Sequence, residues 1–156
     1  METQTNTPLV FSGEYCHALD PKNRVSVPSC WKLKPRDGHE PIELFLVPDP
    51  GTGEFLLIFP KEEFEAVAQR VEASNIPPKD KRIFIRQFYS QAKRGSVDKQ
   101  GRLLLPEDFC SQLDLRGEVV LAGTVARFEI WNPGRWESNK AAVSGTYTSV
   151  ADQVGV

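Results

Sequence analysis

The chain has few of the residues from which catalytic and metal centres are commonly built. Among its 156 residues are two histidines, three cysteines and one methionine. His17 and His39 fall in no HxxxH or Cys-x-x-His arrangement. Cys16, Cys30 and Cys110 form no CxxC pair, and so sparse and odd a set fits a reducing cytosol better than a disulfide framework. A metal site from Cys16, His17 and Cys30 has the wrong spacing for zinc. There is no P-loop, no GxSxG and no GxGxxG. An enzyme is therefore not expected, and neither a metal nor a cofactor. No run of about 18 apolar residues occurs, so no membrane span is expected. Residues 1–10 carry no lysine or arginine and no apolar block, and do not read as a signal peptide. The net charge of −2 excludes a uniformly basic, histone-like binder, but leaves room for a local basic patch.

What is present is an ordinary globular composition, with 40% hydrophobic and 26% charged residues. It is arranged as a repeat. Residues 14–30 read EYCHALDPKNRVSVPSC and residues 92–110 read AKRGSVDKQGRLLLPEDFC. Asp20, Lys22, Arg24 and Pro28 align with Asp98, Gln100, Arg102 and Pro106 at an offset of 78. Both copies read Asp-x-x-x-Arg, apolar, x, apolar, Pro. Further on, LLIFPKEEF (56–64) matches FEIWNPGRW (128–136) at an offset of 72. The first copy thus carries about six extra residues, best placed in the turn-rich PDPGTG stretch at 48–53.

Each copy predicts an extended entry, a polar turn, a strand running to a proline, a short helix and a strand pair. Asn23 and Gly101 share one position in the turn, and both residue types tolerate positive φ. Pro28 and Pro106 suit the first turn of a short helix, on which Phe109 and Leu113 share a face. The strand pairs are 43–47 with 54–59 and 118–122 with 127–131. Phe64, Val67, Ala68 and Val71 form a helical stripe after Pro60. Glu62, Glu63 and Glu65 favour the start of that helix. Residues 77–91 predict a helix without a counterpart. The aromatic residues at 59, 64, 131 and 136 read as core, the three cysteines as small buried hydrophobes, and His17 as an outward strand position. Residues 143–156 show no clear period and read as a fraying tail.

Charge is segregated. Residues 37–65 hold eight acids and one base, whereas residues 79–102 hold eight bases and two acids. Lys22, Arg24, Lys32, Lys34 and Arg36 add to the bases, which in sequence gather around both Asp-x-x-x-Arg elements. This pattern suits either a polyanion-binding face or a merely solvated surface. Asp20 and Asp98 read as acceptors for backbone N–H groups of their own turns. Arg24 and Arg102, repeated at matching positions, read as contacts to phosphate or to guanine O6 and N7, with Lys22 and Lys99 as phosphate contacts.

These residues resemble the MraZ family of bacterial transcriptional regulators. The resemblance runs from residue 11 to about 137. It is carried by FSGEY (11–15), LDPKNRVSVP (19–28), VDKQGRLLLP (97–106), EVVLAG (118–123) and RFEIWNPGRWE (127–137). It implies an α+β, mostly β fold: a pseudo-two-fold AbrB-like swapped-hairpin barrel with short helices. The first AbrB-like unit is placed at 12–61, a helical bridge at 62–91 and the second unit at 92–135, with flexible tails at 1–10 and 143–156. The resemblance also implies assembly into a higher-order ring, and binding of double-stranded DNA at direct repeats upstream of the cell-division and cell-wall gene cluster. Repression is the expected sign and the nucleoid within the cytoplasm the expected place. DNA contact carries over to Arg24 and Arg102. Asn23 stands where the family usually has glycine, and Ser12 where arginine is usual, which removes one cation near the first turn. The alternative is a non-DNA oligomeric, antitoxin-like partner-binding module on the same fold. Salt dependence separates the two, because phosphate binding weakens steeply as salt rises.

Overall fold

The computed structural model describes residues 10–156. The first half contributes strands β1 (Glu14–Ala18) and β2 (Arg24–Ser26), a 3-10 turn (Ser29–Trp31), strands β3 (Leu44–Pro48) and β4 (Leu56–Pro60), and helix α1 (Lys61–Ala73). Helix α2 (Pro78–Gln91) follows. The second half repeats the order with β5 (Lys93–Gly95), β6 (Arg102–Leu104), α3 (Glu107–Gln112), β7 (Glu118–Gly123), β8 (Phe128–Trp131) and α4 (Pro133–Gln153). Pro28, Pro60 and Pro106 occupy the position just before a helix, where their fixed φ and missing N–H cost nothing.

Six strands form one antiparallel sheet in the order β1-β7-β8-β4-β3-β5, and β2 pairs with β6 in a separate ribbon. The halves exchange strands reciprocally. β1 of the first half pairs with β7 of the second, with Cys16 opposite Val120. β5 of the second half pairs with β3 of the first, with Phe45 opposite Arg94. Interchanging the halves leaves the whole pairing scheme unchanged, so the β4–β8 and β2–β6 pairs straddle a pseudo-two-fold axis.

The expected barrel is not formed. The sheet is open, with β1 and β5 at its two edges. A barrel encloses one core, whereas here both faces of the central strands are buried against separate layers. Side chains alternate across a strand, so Leu44, Leu46, Leu56, Ile58, Leu121 and Ile130 meet Val25 and Leu103 of the ribbon on one face. Phe45, Val47, Leu57, Phe59 and Trp131 meet Phe64, Val67 and Phe88 of α1 and α2 on the other. This two-sided burial explains the unbroken apolar runs at 44–47 and 56–59. Phe45 stacks on Phe64 at 4.2 Å, and Phe55 on Trp131 at 4.1 Å. The Tyr89 hydroxyl donates to the Phe64 carbonyl at 2.6 Å and accepts from the Ala68 N–H at 2.9 Å, tying α2 to α1.

Gly123 marks a close approach. A Cβ there would lie 2.3 Å from the Ser12 backbone nitrogen. Its absence lets the Gly123 N–H reach the Gly13 carbonyl at 2.9 Å and Phe11 pair with Val125. Phe11 is fully buried, packed edge-on against Trp31 at 5.4 Å.

Several expectations are corrected. Residues 143–153, which read in the sequence as part of a fraying tail, form the second half of α4, with no side chain of that helix buried. Asn132 caps this helix by accepting from the Arg135 N–H, and once begun a helix extends cheaply, residue by residue. Val143, Tyr147, Val150 and Val154 do recur at helical spacing, yet all are exposed. The expected tail at the other end lies outside the described residues for positions 1–9. His17 is half-buried on the same side of β1 as Tyr15, while Cys16 is exposed on the other. Cys30 is also exposed, and only Cys110 of the three cysteines is buried.

Candidate nucleic-acid interface

The two Asp-x-x-x-Arg elements are built alike. The Asp20 Oδ1 accepts from the backbone N–H groups of Lys22 and Arg24 at 2.9 and 2.8 Å. The Asp98 Oδ1 accepts from those of Gln100 and Arg102, both at 2.9 Å. The chain then closes on itself, with the Asn23 N–H bonded to the Asp20 carbonyl and the Gly101 N–H to the Asp98 carbonyl, both at 3.0 Å. That closure needs positive φ at one position, and Asn23 and Gly101 take 63° and 79° there.

The second oxygen of each aspartate holds an arginine. Arg24 Nε donates to Asp20 Oδ2 at 2.7 Å, and Arg102 Nε to Asp98 Oδ2 at 3.3 Å. Arg102 Nη2 also meets the Gln100 side-chain oxygen, and the Arg24 and Arg102 side chains remain 30% and 27% exposed. The N–H bond from Arg24 is the largest influence holding the Asp20 carboxyl below the usual range, aided by the guanidinium and the Lys22 N–H. For Asp98, desolvation pulls the other way, and the N–H bonds from Arg102 and Gln100 with the Arg102 charge outweigh it, so its pKa is lowered too. Both acids are ionised at neutral pH, and each fixes one face of its arginine.

The ribbon brings the two turns together. Arg24 stands opposite Leu104 and Ser26 opposite Arg102. The Val27 N–H bonds the Gly101 carbonyl at 2.9 Å and the Leu105 N–H the Asn23 carbonyl at 2.8 Å, so each turn is stitched to the strand leaving the other. Lys22 and Lys99 are exposed at the tips. Four cations and two ion-paired carboxylates thus share one small surface.

The other bases do not all join them. Lys32, Lys34 and Arg36 lie on the ribbon's side of the sheet, in the segment that buries Trp31 and Leu33 in the same core. Lys79, Lys81, Arg82 and Arg86 belong to α2, which packs Phe88 onto the opposite face. Lys93 is bound by Asp108 at 2.7 Å, and Arg94 stands 3.5 Å from Glu43. The cluster of bases at 79–102 is thus a feature of the linear sequence that folding divides, because strand pairing and helix packing send neighbouring segments to different faces. Among the described residues no group of three His, Cys, Asp or Glu side chains converges to hold a metal ion. No helix among the described residues is long and apolar enough to cross a membrane.

What the residue pattern did not locate is the outward position of Leu104, which the strand register puts beside Arg24. The repeat held that signal, since position 104 aligns with Ser26, the polar residue between Val25 and Val27, and Leu104 is exposed between the buried Leu103 and Leu105.

The family model described as "MraZ protein, putative antitoxin-like" matches residues 88–146, from the end of α2 into α4 and including Asp98–Arg102. Whole-chain relatives extend the likeness to the first half. The Transcriptional regulator MraZ of Heliobacterium modesticaldum is 36% identical over 145 residues, covering 93% of this chain and 96% of that protein. The Transcriptional regulator MraZ of Clostridium tetani is 34% identical over 146 residues, with coverage of 93% and 96%. On likeness of this extent, taking in both turns and both strand pairs, the chain belongs to the MraZ family.

Proposed function

We propose that the chain is a sequence-specific DNA-binding transcriptional regulator whose DNA-facing surface is the β2–β6 ribbon with its two turns. One observation carries this reading: the antiparallel pairing of β2 with β6 sets Arg24 and Arg102 diagonally across the ribbon on the same outward face, each oriented by an aspartate of its own turn. The names of the relatives support the regulatory role. Arg24 and Arg102 contact base edges or phosphates, Lys22 and Lys99 neutralise phosphates, and Asp20, Asn23, Asp98 and Gly101 hold the turns.

In the finer reading, residues 12–61 and 92–135 are two AbrB-like swapped-hairpin units joined through 62–91, and the reciprocal strand exchange supports it. One chain offers few phosphate contacts, and so few bind weakly at physiological salt. Several chains in a closed ring supply the avidity that direct repeats require, since a head-to-tail interface either closes or grows fibres. The operator lies upstream of the cell-division and cell-wall gene cluster, the effect is repression, and the protein works in the cytoplasm at the nucleoid.

The test is binding to the DNA immediately upstream of the chain's own gene, titrated across salt. Tight binding there, weaker on scrambled DNA and falling steeply with salt, supports the reading. Absence of preference for that DNA contradicts it. An antitoxin-like, partner-binding module is the second reading, favoured by the description of the matched family model. It requires a protein complex whose stability is largely indifferent to salt.

A further inference from the structure

The β2–β6 ribbon has two unlike faces. Val25 and Leu103 enter the core, whereas Ser26 and Leu104 are exposed, with Arg24 and Arg102 on the same outward side. Positions 26 and 104 are equivalent in the repeat, at the offset of 78 that relates Arg24 to Arg102. One is serine and the other is leucine, and that leucine is 56% exposed. Directly opposite residues of an antiparallel pair lie about 4.5–5.5 Å apart at Cβ. Each arginine therefore has a different companion, Leu104 beside Arg24 and Ser26 beside Arg102.

We propose that Leu104 is a specificity-determining residue that packs on a thymine methyl group next to the nucleotide held by Arg24, and that Ser26 makes the equivalent half of the ribbon indifferent to that methyl. The proposal rests on the DNA-binding reading above. The major groove admits a two-stranded β-ribbon, and the thymine C5-methyl is the apolar group that base edges present there. Leu104 contributes little to folding where it stands, because its outward side chain belongs to neither core. Its surroundings hold four cations against two carboxylates, a small positive excess that favours an anionic partner. Serine can bond any base edge through its hydroxyl and so gives no preference for a methyl. The two arginines are thus near-equivalent by symmetry, and the residues beside them break that symmetry.

The test uses a duplex enriched from a random-sequence pool by the wild-type protein. Each thymine is replaced in turn by deoxyuridine, which lacks only the methyl, and binding is followed by fluorescence anisotropy. Wild type should lose about fourfold in affinity at one thymine per bound chain, the value of one buried carbon. Leu104→Ser should bind the thymine and uracil duplexes equally, and Ser26→Leu should gain a second methyl-sensitive position. Both sites are exposed, and unchanged melting temperatures will show that the variants fold. If wild type is insensitive to every methyl, or Leu104→Ser keeps the sensitivity, the inference is overturned. The DNA-binding reading then stands provided that Arg24→Ala and Arg102→Ala still weaken binding. If no duplex is enriched, or the arginine variants bind as wild type does, that reading falls and this inference with it.

Discussion

Arg102 reaches across the boundary between the two halves of the chain: its Nη1 stands 3.7 Å from Asp20 Oδ2 while its Nε is 3.3 Å from Asp98 Oδ2. Among the described residues Arg24 pairs with Asp20 alone. Asp20 is thus shared by both arginines, and the two turns form one electrostatic unit.

This unit makes stability depend on acid. Asp20 and Asp98 both have folded-state pKa values below the ordinary carboxylate range, Asp20 chiefly through the Arg24 N–H, and Asp98 because N–H bonds and the Arg102 charge outweigh its desolvation. An acid with a lowered folded pKa stabilises the fold above its unfolded pKa of about 3.9, and that contribution is lost as pH falls through the folded value. Urea denaturation from pH 6 downward should show stability declining below about pH 5. Asp20→Asn should be less stable than wild type at pH 6 and should lose less on acidification. Parallel pH curves for the two proteins would contradict the assignment.

Asn23 should tolerate glycine and resist valine. At φ 63° an asparagine is tolerated, glycine is unstrained and a β-branched residue is strained. Asn23→Gly should lie within about 1 kcal/mol of wild type, and Asn23→Val should lose about 1–2 kcal/mol. Equal denaturation midpoints for the two variants would contradict the turn geometry.

Val125 presents the same problem unsolved. It has φ 76° at an exposed turn, held there by reciprocal hydrogen bonds with Phe11 at 2.9 and 2.8 Å. Val125→Asn keeps both backbone bonds and relieves the strain, so it should raise stability by about 1 kcal/mol. A loss of stability would show that the valine side chain contributes more than its backbone costs.

Glu129 titrates in the opposite sense. Burial raises its pKa, with Asp49 adding to the rise, while the Trp131 indole N–H at 2.9 Å and the Arg127 charge lower it. A raised folded pKa means that ionisation costs stability, fully so above that pKa and not at all below the unfolded value of about 4.3. Glu129→Gln keeps an acceptor for Trp131 and should melt higher than wild type at pH 8. The advantage should vanish near pH 4.

Much of this architecture was legible because the repeat is local. Asp20–Arg24 and Asp98–Arg102 could be aligned by eye, and the apolar runs at 44–47 and 56–59 show their strands through composition. Which strand pairs with which is not a local property. Nothing in Glu14–Ala18 specifies β7 as its partner, and nothing in Lys93–Gly95 specifies β3. The same limit hid the fate of the bases. Arg86 and Arg102 are close in sequence, yet α2 and β6 lie on opposite faces of the sheet. The helix at 143–153 was hidden for a different reason, since its apolar residues face solvent and its composition is small and polar.

On the proposed reading, the paired turns bind DNA through Arg24 and Arg102. Its most direct test is the affinity of Arg24→Ala, Arg102→Ala and the double variant for the DNA upstream of the chain's own gene, measured across salt. Each single change should cost about 1–3 kcal/mol where the arginine reads a base. If it touches phosphate instead, the loss should be alike on all sequences and the salt slope should become shallower. Wild-type affinity in the double variant, with its circular dichroism unchanged, would contradict the account.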